Sequence, residues 1–162
     1  MILPVFEGLI HSFILLLLCV IDIQNGPVGG VHFYEQNVKD RVVELGLITK
    51  KEIKRNLIIS GAVLWTSMVF LMPLAVFLIN GADSFFEGFV QLTIIFLISG
   101  VFDRVFIDWY WVGHTKAWFI PGTEDLMPYI PKSALIKKWF CTIVGYPVFA
   151  AILSLVYSKI IL

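Results

Sequence analysis

Four long runs of apolar residues alternate with short polar stretches along this chain. They fall at about residues 3–23, 56–80, 85–107 and 135–158, each close to the ~20 residues that an α-helix needs to cross a bilayer. Their flanks carry start and stop signals. Thr49-Lys50-Lys51-Glu52 and Ser84-Phe85-Phe86-Glu87 are capping-box patterns ahead of the second and third runs. Pro73 should kink the second run, and Asn80-Gly81-Ala82-Asp83 reads as a tight turn. In the fourth run, Gly145, Pro147, Ala150 and Ser154 predict a small-residue helix whose Gly145 lies at a close helix contact.

The first run has neither a basic leading segment nor a small-residue cleavage site, so it reads as a retained helix rather than a signal peptide. Three polar side chains interrupt it: Glu7, His11 and Asp22. At about 100° per residue, His11 lies about 40° and Asp22 about 60° round the helix from Glu7. They form one polar stripe, and charged groups at membrane depth normally face a bundle interior.

The connections differ in kind. After the breaker cluster Asn25–Gly30, the residues Tyr34, Val38, Val42 and Leu45 recur at helical spacing, with Glu35, Lys39, Asp40 and Glu44 elsewhere. This predicts a short amphipathic helix ended by Gly46, lying on the membrane surface or packing over the inner mouth of the spans. The stretch 108–132 holds Pro121, Pro128 and Pro131 and should be mostly irregular, with one helical turn at Thr123-Glu124-Asp125. The aromatics between Phe106 and Phe119 argue against disorder.

Composition sharpens this picture. Hydrophobic residues make up 59% of the chain and charged residues 15%, against about 45–50% and about 25% in soluble domains. The chain has too little polar surface to cover itself in water. The expected fold is an all-α integral membrane protein: a single-domain four-transmembrane-helix bundle with an amphipathic cytoplasmic helix and a long aromatic cytoplasmic loop. Net charge is zero, which gives no pull toward nucleic acid. Cys19 and Cys141 sit inside apolar runs and read as small hydrophobes rather than a disulfide.

Lysine and arginine cluster between spans one and two and between spans three and four, and the Asn80 turn has none. Positive charge stays cytoplasmic. The expected localisation is a cell inner or plasma membrane, multi-pass, with both termini outside. Expected partners are membrane lipids, with a homo-oligomer as a further expectation.

The candidate chemistry gathers at the end of the third run. Asp103, Arg104, Asp108 and His114 lie within twelve residues of one another. Crowded carboxylates in a low dielectric hold protons more tightly, which suits general acid work, and carboxylates with an imidazole also suit a divalent metal. Asp103, Asp108 and His114 are the candidate catalytic residues. Arg104, Asp22, Glu124, Asp125, Trp109 and Trp111 are the candidate binding residues. Glu7 and His11, four apart on one helix, are the candidate metal pair. On a regular helix Asp103 and Asp108 point about 140° apart, so they converge only where the helix breaks. Trp109-Tyr110-Trp111 and Trp118-Phe119 suit an interfacial belt, or else the lining of a pocket for a lipid tail or flat ligand.

The Asp103–Arg104 pair after Gly100 resembles, over a handful of residues, the lipoprotein signal peptidases, which are four-span proteins with two membrane-edge aspartates. Here the spacing to Asp108 is shorter and the flanking asparagines are absent, so the resemblance assigns no family. Three histidines cannot supply the clusters of a membrane di-iron hydroxylase. Three function classes therefore remain. One is a membrane-embedded enzyme acting on a lipid-like or amphiphilic substrate. Another is a small ion- or proton-coupled transporter or channel subunit using the Glu7, His11, Asp22 stripe. The last is a non-catalytic binding or scaffold subunit. The polar inner face favours the first.

Overall fold

The structure, a computed structural model, describes residues 2–161. Helix α1 spans Ile2–Ile23 and α2 spans Gln36–Glu44. Helices α3, α4 and α5 span Lys50–Ile79, Phe85–Val112 and Lys132–Ile161. Short 3₁₀ turns occupy Pro27–Phe33 and Glu124–Leu126. Among the described residues there is no strand. Helices α1, α3, α4 and α5 are long and apolar enough to cross a membrane.

The start signals act as their chemistry dictates. Thr49 Oγ1 accepts the N–H of Glu52 at 3.2 Å, and the Glu52 carboxylate accepts the N–H of Thr49 at 2.9 Å. Both groups cap the first turn of α3 reciprocally. At Ser84 the box is half formed. Its hydroxyl accepts the Glu87 N–H at 3.3 Å, but the Glu87 carboxylate takes the N–H of Asp83 instead. Pro73 sits between two widened π-helical turns, Ser67–Leu71 and Ala75–Ile79. A proline lacks an N–H and crowds the carbonyl four residues back, and a widened turn makes room for both defects. The turn Cys141–Gly145 does the same ahead of Pro147.

Long helices consecutive along the chain alternate in direction, so α1 and α4 run parallel. Near the start of α1, Glu7 Oε2 accepts from Asn80 Nδ2 at 2.9 Å, and that amide also donates to Gln91 early in α4. At the other end of α1, Asp22 accepts from Ser60 of α3 at 3.1 Å. Lys138, early in α5, reaches Asp108, late in α4. Helix α4 is central and packs along both α1 and α5.

The close approach of α4 to α5 rests on glycines of α4. A Cβ on Gly100 would lie 2.6 Å from the Tyr146 ring and 2.7 Å from the Thr142 methyl. Gly88 lies similarly against Phe77 and Ser154. The expectation for Gly145 is corrected: a Cβ there would meet no other helix within 4 Å, since the nearest atom is Cys141 Cβ of its own helix at 3.8 Å. Ala150 and Ser154 do face inward, both fully buried, and Ser154 Oγ donates to the Phe85 carbonyl at 2.7 Å.

Two apolar cores result. One surrounds Leu92, Ile95 and Phe96 of α4, with Met72, Val76 and Ala150. The other lies at the α2 end and joins Val31, Tyr34, Val38 and Val42 to Ile107, Trp118, Ile120 and Tyr129. Helix α2 therefore packs over the mouth of the long helices by burying Val38 and Val42. The connection 113–131 is a folded cap. Ile120 N–H donates to Tyr129 Oη at 3.0 Å, and Thr123 Oγ1 donates to the Ile120 carbonyl at 2.7 Å. Arg41 of α2 clamps it with paired bonds to Asp125, both 3.0 Å, and a third to the Gly122 carbonyl at 3.2 Å. Gly122 holds φ +86° there, and a side chain would also strike Leu45.

The outward faces are apolar. Only 22–33% of each long helix's apolar window is buried within the molecule. Ile79, Ile160, Ile2 and Phe86 are among the most exposed side chains. Such a surface is far larger than a water-soluble monomer presents.

Candidate functional site

The last ten residues of α4, Asp103–Val112, are π-helical. This widening is the local cause of the site. Hydrogen bonds that close on the fifth residue align groups five apart, so Asp103 and Asp108 share a face without any break in the helix. Both carboxylates reach Arg104: Nη2 donates to Asp103 and Nη1 to Asp108. Lys138 Nζ of α5 donates to the second oxygen of Asp108 at 2.9 Å. Arg104 and Asp108 are buried, Asp103 is partly so, and Lys138 is about one-third exposed. The four formal charges cancel, and each carboxylate is engaged by a cation.

A cavity of about 270 Å³ opens beside this cluster. Asp103, Arg104, Asp108 and Lys138 form its polar side, and Leu15, Cys19, Leu64, Ile107 and Val112 its apolar side. Tyr34, just ahead of α2, and Trp118 of the cap also line it. Their rings are locked in place: Tyr34 lies 4.7 Å from Tyr129, and Trp118 meets Trp111 edge-on at 5.2 Å. The backbone of Gly30 lies so close to Trp118 that any Cβ there would collide with the indole.

Three buried donors of residues around the cavity have no partner. The Tyr34 hydroxyl, the Trp118 indole N–H and the Arg104 Nε–H make no hydrogen bond within the protein. Their residues are 4%, 1% and 7% exposed. Burial, reinforced by Tyr129, pushes the Tyr34 phenol well above its ordinary range. It keeps its proton at any working pH and remains a donor.

The other sequence candidates lie elsewhere. His114 is exposed, its Nδ1 2.5 Å from the Trp109 carbonyl and its ring 4.7 Å from the Trp109 ring. It does not line the cavity. Trp109 is exposed, whereas Trp111 turns inward onto Trp118. Asp125 pairs with Arg41, whose hydrogen bonds hold its carboxyl below the usual range. Glu124 accepts the Gly122 N–H at 3.1 Å. Asp22 belongs to a separate group, with Ser60 and with His32 Nε2 at 3.4 Å. That contact is long and poorly aligned, and burial holds the His32 imidazole below its usual pKa although Asp22 pulls it upward.

Glu7 and His11 take separate partners. Glu7 accepts from Asn80, while His11 is buried between Ser99 Oγ at 2.8 Å and Ser67 Oγ at 3.0 Å. Among the described residues, no three histidine, cysteine or acidic side chains gather as a metal-holding group.

Tyr34, Lys138 and Cys19 join the site from distant points of the chain and were not among the sequence candidates for it, while Trp118 realises the pocket-lining alternative. The signal for Tyr34 was its place on the apolar face of α2's segment, which had to pack against something. For Trp118 and Lys138, a belt and a basic flank were equally good readings of the local sequence. Compared with protein-family models, curated proteins and solved structures, the chain matches none. What defines it is architecture: an all-helical chain with four helices fit to span a membrane and a polar cavity beneath a folded cap.

Proposed function

We propose that this is a four-span membrane protein, its capped end cytoplasmic, that binds the polar head of an amphiphile in the cavity beside Arg104. One observation carries the reading: a cavity of about 270 Å³ is lined by the ion-paired Asp103, Arg104, Asp108 and Lys138 together with apolar side chains. The apolar lining residues suit the first atoms of a hydrocarbon tail. Drug-sized ligands occupy pockets from about 300 Å³ upward, so this cavity takes a headgroup rather than a whole lipid. Both carboxylates are held by cations, and His114 points away. That arrangement favours binding over acid–base turnover by Asp103, Asp108 and His114.

Retention of a native amphiphile through purification tests this. The protein, washed in mild detergent and extracted with organic solvent, should release a stoichiometric amphiphile detectable by mass spectrometry. Val112→Phe, which projects a ring into the cavity, should release none while keeping its helical circular dichroism. Equal release from both proteins would assign the amphiphile to the outer lipid shell and overturn the proposal.

A further inference from the structure

The charged groups beside the cavity form an open chain. Asp103, Arg104, Asp108 and Lys138 alternate in sign, each bonded to the next. The two middle members are buried and have a partner on either side. The two end members are partly exposed and have bonding capacity left. Asp103 accepts from Arg104 through Oδ2, and its Oδ1 accepts nothing among the described residues. Unlike Arg104 Nε, that oxygen is not sealed from contact. Lys138 Nζ gives one N–H to Asp108 at 2.9 Å, and an ammonium has three to give. Both end residues line the same cavity.

We infer that the head bound here is a zwitterion with a primary ammonium and an anionic group, an inference that rests on the amphiphile-binding reading above. The ammonium donates to Asp103 Oδ1, and the anion accepts from Lys138 Nζ. The open chain then closes into a ring of alternating charge. Other heads satisfy only part of it. The cluster sums to zero, so a purely cationic or purely anionic head leaves a net charge in a partly buried setting. An uncharged head keeps the sum at zero but forgoes both ion pairs, whose attraction grows as water is excluded. A quaternary ammonium has no N–H for Oδ1.

Phosphatidylethanolamine presents this chemistry on a hydrocarbon tail. The test uses the full-length protein in mild detergent with four dioctanoyl probes: phosphatidylethanolamine, phosphatidylcholine, phosphatidylglycerol and the diglyceride. Tail-less glycerophosphoethanolamine is the fifth probe. Binding is read as a rise in the unfolding midpoint and, independently, by calorimetric titration. The ethanolamine lipid should bind at least tenfold tighter than the anionic lipid, the diglyceride and the tail-less head, and at least threefold tighter than the choline lipid.

Two variants supply the second arm. Asp103→Asn keeps the shape but gives the cluster one net positive charge, so the preference for the ethanolamine lipid over the anionic one should shrink at least tenfold. Lys138→Gln should weaken both of these lipids. Helical circular dichroism and the ligand-free unfolding midpoint show whether each variant folds, and the probe series on the parent stands without them. Binding of the anionic lipid, the diglyceride or the choline lipid as tight as the ethanolamine lipid would overturn the inference and leave amphiphile binding standing. A preference unaltered by Asp103→Asn would also overturn it. Equally tight binding of the tail-less head would overturn the amphiphile reading and leave the zwitterion standing. Failure of all five probes to bind would overturn both.

Discussion

Arg104 is held by two carboxylates and still has a donor to spare, and Asp108 stands between it and Lys138. Removing Asp108 leaves two cations facing each other in a buried setting. Breaking a buried pair in this way costs about 3–5 kcal/mol, so Asp108→Ala should lower the unfolding free energy by that order, measured by denaturant titration in detergent. Asp103→Asn, at the more exposed carboxylate, should cost less. His32 gives a pH prediction. Its folded pKa lies below the unfolded value of about 6.5, so below that pH the unfolded chain takes up a proton that the folded chain resists. Stability is complete above about pH 6.5 and is lost as pH falls through it. Asp22 opposes this shift and Lys39 adds to it. The unfolding midpoint should fall between about pH 7.5 and 5.5, and His32→Gln should flatten that fall. At this scale the sequence pointed to Asp103, Arg104 and Asp108, because ionisable groups at the end of an apolar run are conspicuous. It did not single out Tyr34, and it left Trp118 between an interfacial belt and a pocket lining, since an aromatic side chain declares no partner until its neighbours are placed.

The elements were more legible than the contacts between them. Four apolar runs became four long helices, and the Thr49 box formed in full. The third helix continued past residue 107 to Val112, because an aromatic, β-branched stretch without proline gives no reason to stop. The π-helical stretch within it left no signature in the spacing of apolar residues. The small-residue contact holds at Ala150 and Ser154 but not at Gly145. Gly145 satisfied the spacing rule, but the fold sets Gly100 against Tyr146 and Thr142 instead. Gly100→Leu should therefore destabilise by roughly 1–3 kcal/mol through overpacking, while Gly145→Leu should stay within about 0.5 kcal/mol of the parent. Thermal unfolding of the two variants side by side checks this, and equal losses would contradict the helix arrangement.

For the molecule as a whole, the apolar exterior and the basic flanks act together. The outward faces suit a hydrocarbon surrounding, and the proposed orientation, read from the lysine and arginine distribution, puts the capped end in the cytoplasm. Labelling of single cysteines in intact cells tests the orientation, in a Cys141→Ser background because Cys141 is exposed and Cys19 is buried. Asp83→Cys should be modified and Lys51→Cys protected. Both positions are exposed in the fold, whereas the neighbouring Ala82 is buried. The reverse pattern would invert the molecule and place the cavity outside.

His11 carries one more consequence, for how the chain is made. Ser67 Oγ already donates to the Leu64 carbonyl at 2.8 Å, so it must accept from His11 Nε2, leaving Nδ1 to accept from Ser99. One neutral imidazole thus fastens α1 to α3 and α4 at once. Ser99 emerges 88 residues after His11. During synthesis the first helix must therefore wait, with its ring half satisfied, until the third long helix arrives beside it. A nascent chain cut off before α4 would expose that ring to lipid, and it is such an orphaned helix, rather than the finished protein, that membrane quality control should recognise and destroy.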